Sequence, residues 1–114
     1  HIGDGAIQRM HDGGGHHHFV ATLDKSSGSM AVVPASYTAD ATRVPELWLI
    51  PADGKPRPLG LLRADSATTF TIPREMLAHA VSNAVLAVSL EPQGGSPTGQ
   101  PTGPVIASGK LTLL

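Results

Sequence analysis

The residues with the most scope for chemistry are histidines. His11 stands on one side of Gly13-Gly14-Gly15, and His16-His17-His18 stand on the other. Glycine reaches positive φ without steric penalty, so the tract predicts a hairpin turn with a strand on each side. If Gly13-Gly14 is a two-residue turn, Asp12 pairs with Gly15, His11 with His16 and Arg9 with His18. Alternation then gathers His11, His16 and His18 on one face and sends His17 to the other with Phe19. Directly opposed Cβ atoms stand about 5 Å apart and diagonal ones about 7 Å. Three neutral imidazoles at that spacing suit Zn²⁺, Ni²⁺ or Cu²⁺, with a fourth place for water or a carboxylate. The competing reading is an exposed polar face whose histidines bind nothing, because no group that would orient the rings can be named. The set also depends on register. A three-residue turn would bring His11 opposite His17 instead.

Other chemistry is poorly supplied. Nucleophilic catalysis by serine needs a base and an orienting acid. The serines lie mostly in turns, and no Gly-x-Ser-x-Gly elbow occurs. His79 falls on a helix border, and Asp53 and Asp65 are turn acids. Gly94, Gly95, Gly99 and Gly103 suggest a phosphate cradle only until their context is read. They lead into a strand, and no basic residue lies between Pro92 and Pro104. Cysteine is absent, which removes disulfides, thiolate metal sites and thiol nucleophiles. A formal net charge of −1 leaves no electrostatic footprint for nucleic acid. No catalytic and no cofactor-binding residue is assigned, and the chain reads as a binding module rather than an enzyme.

The elements that position these residues are short strands. Leu86, Val88 and Leu90 alternate with Ala87, Ser89 and Glu91, which puts three aliphatic side chains on one face. From Pro92 to Pro104 nearly every residue is Gly, Pro, Ser or Thr, a composition for a loop. Val105 to Ala107 and Lys110 to Leu113 return as strands. The loop is clamped between apolar segments, so an ordered connection is expected. Leu47-Trp48-Leu49-Ile50 is apolar on both faces, which predicts a central strand and a buried Trp48 anchoring the space between two sheets. Pro45 lacks a ladder donor, so the start of that strand, Val44 to Ile50, is expected at an edge or unpaired.

The remainder follows the same rhythm. Ala6 to Asp12 and His16 to Asp24 form the first hairpin, Lys25 to Gly28 the next turn, and Ser29 to Val33 the returning strand. Pro34 to Val44 reads as irregular, Pro51 to Pro56 as a turn, and Leu59 to Leu62 and Thr68 to Ile72 as short strands. Pro73 to Val81 is the helix candidate. It has proline in its first turn and Met76, Leu77, Ala80 and Val81 on one side. At 114 residues the chain supports one core. The expected fold is all-β, a two-sheet antiparallel sandwich of immunoglobulin-like or Greek-key type, with one short helix near residues 73–81.

Leu86-Ala-Val-Ser-Leu-Glu-Pro, then Gly94-Gly-Ser-Pro-Thr-Gly-Gln-Pro-Thr-Gly-Pro104, preceded by Glu46-Leu-Trp-Leu-Ile-Pro51, resembles the C-terminal domain of the anti-sigma-K factor family. The resemblance runs from about Ala6 to Leu111. It implies the extracytoplasmic part of a single-pass bacterial membrane protein, controlling a sigma factor through regulated proteolysis. The implied partners are a protease and an unidentified signal ligand or protein, with the sigma factor held only by a cytoplasmic segment outside this sequence. On this reading residues 5–114 are the domain, and residues 1–4 are a cloning remnant or juxtamembrane tail. The alternative is a small-ligand or metal-binding module, with Zn²⁺ or Ni²⁺ at the His-rich hairpin.

Overall fold

The computed structural model describes residues 5–11, 17–24, 26–37, 42–78 and 84–113. Antiparallel strands dominate: β1 (Gly5–His11), β2 (His18–Asp24), β3 (Ser29–Ser36), β4 (Arg43–Ile50), β5 (Arg57–Leu61), β6 (Thr68–Thr71), β7 (Val85–Pro92), β8 (Val105–Lys110) and β9 (Thr112–Leu113). They form one nine-stranded sheet in the order β5-β4-β7-β8-β1-β2-β3-β6, with β9 paired to β1. The all-β, antiparallel expectation holds. Among the described residues the two separate sheets of a sandwich do not appear, because one hydrogen-bonded sheet takes in all the strands.

That path curls until its two ends meet, giving a nearly closed barrel. The edge strands β5 and β6 share no ladder. They touch through Phe70, whose ring would lie 3.1 Å from a Cβ placed on Gly60. The Arg63 N–H also donates to Thr68 Oγ1 at 2.9 Å across the connection between them. Pro58, which cannot donate, and a bulge between Leu47 and Trp48 further protect the β5 edge from pairing with another chain.

Inside the barrel, side chains from alternate positions make one apolar core. Met10, Phe19, Leu23, Met30, Val32, Leu47, Leu49, Leu86, Val88 and Leu90 are all buried there. A period of two along each strand is sufficient reason: each contributes every second side chain to the interior.

Three local readings change. Pro45 is paired with Leu90, and β4 is an interior strand flanked by β5 and β7. Its carbonyl accepts from the Leu62 N–H at 2.9 Å, so its donorless nitrogen faces the frayed end of β5, where the lost bond costs least. The segment 34–44 is less irregular than expected, since β3 runs on to Ser36 and β4 starts at Arg43. Pro34 sits opposite Phe19 beside a bulge, a position that tolerates proline. The helix is a single turn, α1 (Arg74–Leu77), entered after Pro73. His79, Ala80 and Val81 lie outside the described residues.

Candidate functional site

The first hairpin fixes its histidines by register. His11 pairs with His18, Met10 with Phe19 and Arg9 with Val20. The two-residue turn is therefore overturned: residues 12–17 connect the strands, His11 faces His18 rather than His16, and Arg9 faces Val20 rather than His18. The cause lies inside the barrel. Met10 and Phe19 are both fully buried, and their pairing sets which residues stand opposite one another. His16 lies outside the described residues. His17 turns to the Phe19 side as expected, through an aromatic chain: its ring is 5.8 Å from Tyr37, whose ring is 5.5 Å from Phe19. Among the described residues, no group of three or more His, Cys, Asp or Glu side chains gathers to hold a metal.

The more developed site lies on the outer face of β4 and β7. Glu46 pairs with Ser89, and Trp48 with Ala87. These residues occupy the side away from Leu47, Leu49, Leu86 and Val88, so they should face water. Instead Trp48, Ser89 and Glu91 have no exposed surface and Glu46 is 7% exposed. The loop from Pro92 to Pro104 is fastened to this face, at Glu46 and Glu91, as a strap.

Two carboxylates hold the strap. Glu91 accepts hydrogen bonds from the backbone N–H of Thr102 at 3.1 Å, the N–H of Gly103 at 3.2 Å and the Thr102 hydroxyl. It also accepts the Ser89 hydroxyl at 2.6 Å. Ser89 Oγ in turn accepts the Trp48 indole N–H at 2.8 Å, so the ring, the hydroxyl and the carboxylate form one chain. Glu46 accepts the Ser96 N–H at 2.8 Å from the middle of the strap. Gln100 Nε2 reaches the Pro56 carbonyl at 3.1 Å and ties the strap to the turn after β4.

The strap's own chemistry fits this role. Its prolines lack donors, and N–H groups between them point at the carboxylates, as at Ser96, Thr102 and Gly103, or at its own turns, as Gly95 N–H to the Pro92 carbonyl at 2.9 Å. At Gly103 a Cβ would sit on the Leu90 carbonyl oxygen, so only glycine lets the strap return to β8.

Electrostatics separates the two acids. Burial is the largest influence on Glu91 and pushes its pKa up. The Ser89 and Thr102 hydroxyls and the Gly103 and Thr102 N–H groups together outweigh burial, so the carboxyl titrates below its ordinary range. At Glu46 burial dominates. The Ser96 N–H opposes it and the Glu91 charge adds to it, so this carboxyl titrates above its ordinary range.

Sequence reasoning placed Trp48 correctly as buried in a central strand and 92–104 as a loop between strands, which the structure ties down through Glu46 and Glu91. It assigned the ring to the space between sheets, whereas the ring lies on the outer side of one sheet, linked through Ser89 to the carboxylate that holds the strap. It missed Glu46, Ser89 and Glu91 as a unit. The available signal was polar residues alternating with aliphatic ones in strands that also carry apolar residues on that second face.

The stretches that build this clamp fall within a match to the family model described as Anti-sigma-K factor rskA, C-terminal, over residues 4–105. The chain belongs to this family. No curated protein and no solved structure matches it. Family membership makes the chain an anti-sigma factor regulatory domain, and the family is a regulatory one rather than a family of enzymes. No helix among the described residues is long and apolar enough to cross a membrane.

Proposed function

We propose that this chain is the extracytoplasmic sensory domain of a membrane-anchored anti-sigma factor. It would govern, from outside the membrane, whether a protease reaches the segment that precedes it. The sigma factor would be held by a different, cytoplasmic part of the protein. Membership of the anti-sigma-K family across residues 4–105 carries the proposal. Two features agree with it. The near-neutral charge offers nothing for nucleic acid, and the most elaborate polar network serves to fix a surface strap rather than to gather a nucleophile and base.

This sequence has no cysteine, so a single cysteine introduced here, with any elsewhere in the full-length protein replaced, provides a test. Ser66→Cys, at an exposed position between β5 and β6, should react with a membrane-impermeant maleimide in intact cells carrying the full-length protein. Labelling only after permeabilisation would overturn the topology. Deleting this domain from the full-length protein should alter a sigma-dependent reporter, while the isolated chain should show no affinity for the sigma factor. Micromolar binding by the isolated chain would place inhibition here instead.

A further inference from the structure

The corrected register leaves two imidazoles directly opposed on the outer face. His11 pairs across the hairpin with His18; His11 also pairs with Ser108 of β8, and His18 with Ser36 of β3. One cross-strand row therefore reads Ser108, His11, His18, Ser36. Opposed Cβ atoms in such a pair lie about 4.5–5.5 Å apart, a span that two imidazoles bridge by meeting on one ion. His18 Nε2 is buried and has no hydrogen-bond partner. An unsatisfied ring nitrogen in a folded protein calls for a reason, and a lone pair left for a metal is one.

We infer that His11 and His18 form a binding site for one divalent transition metal of the Zn²⁺, Ni²⁺ or Cu²⁺ class. Neutral imidazole is a ligand of choice for these ions. The site has two protein ligands, His11 and His18. Water or small anions complete the coordination. The site is independent of the anti-sigma reading and stands whether or not that reading does. It ties β1 to β2 at the end of their ladder, so bound metal stabilises the first hairpin in the folded state only.

Calorimetry on the whole chain with Zn²⁺ or Ni²⁺ alone, near neutral pH, tests it. One site of micromolar affinity is expected. His11→Ala or His18→Ala should each weaken it by about tenfold or more. A variant with His1, His16 and His17 all replaced by alanine should keep it. Trp48 fluorescence confirms that each variant is folded. A second reading comes from the imidazole resonances: those of His11 and His18 should shift together and saturate at one equivalent. Loss of binding in the triple variant, equal weakening by all histidine substitutions, or affinity no greater than that of free imidazole would each overturn the site.

Discussion

Strands β4 and β7 are buried on both faces, by two different means. On the inner face Leu47, Leu49, Leu86, Val88 and Leu90 join the barrel core. On the outer face Glu46, Trp48, Ser89 and Glu91 are equally hidden, and a strap of Gly, Pro, Ser and Thr is fastened there. Burial of apolar area is non-directional and indifferent to pH. Carboxylate hydrogen bonds are directional and titratable. The inner face is thus a stability device. The outer face holds one particular conformation of a surface loop, and it is the only one of the two that acid can address.

Removing the ring should have the largest effect. Trp48→Ala should destabilise the domain by about 3–5 kcal/mol, the range for a buried aromatic, against about 2–5 kcal/mol for Leu86→Ala on the inner face. Chemical denaturation monitored by circular dichroism measures both. A cost for Trp48→Ala near that of a surface substitution would mean the ring is not sealed from water. In the unmodified protein the Trp48 emission should be blue-shifted and poorly quenched by acrylamide.

Cutting the clamp should separate the faces. Glu91→Gln replaces an acceptor-only carboxylate by an amide that must also donate. Loss of charge-assisted bonding of this kind costs about 1.5–3 kcal/mol. Amide hydrogen exchange should accelerate at Thr102 and Gly103 while Leu86 and Val88 stay protected. Parallel loss of protection at all four would show that the strap and the core open as one unit.

Acid should act on the outer face with opposite signs at its two carboxyls. The folded pKa of Glu91 is depressed, so its stabilising contribution is present above the unfolded carboxylate pKa and is lost as pH falls through the folded value. The folded pKa of Glu46 is raised, so its ionised form works against folding. That cost is full above the folded pKa and disappears below the unfolded one. Mild acidification should therefore leave the strap closed, and strong acidification should release it. Denaturation midpoints measured against pH for the natural chain and for Glu46→Gln test this. The variant should lose the mild-acid gain and keep the strong-acid loss.

The smallest effect belongs to an ion pair away from both faces. Asp53, in the exposed turn before β5, meets Arg57, the first residue of β5, at 3.1 Å, and the Arg57 guanidinium is the chief reason Asp53 titrates below its usual range. Water screens an exposed pair of this type and ordering its side chains costs entropy, so Asp53→Ala should shift the denaturation midpoint little.

The sequence by itself determined the strand periodicity, the buried central strand around Trp48, the 92–104 loop and the family. These are local or compositional: alternation reports a half-buried strand, an apolar run on both faces reports an interior one, and Pro/Gly density reports a loop. Closure of one sheet into a near-barrel was beyond its reach, since it depends on how strand twist accumulates until Phe70 lies over Gly60. The single-turn helix follows the same logic, because a short helix exists only as far as tertiary packing supports it. The histidine register was set by Met10 meeting Phe19 in the core, a contact that the Gly-rich turn does not encode. The clamp was likewise decided in three dimensions. Glu46 and Ser96 are far apart in the chain, and the Ser96 N–H reaches the Glu46 carboxylate only after β4 and β7 have paired and the strap has folded back across them.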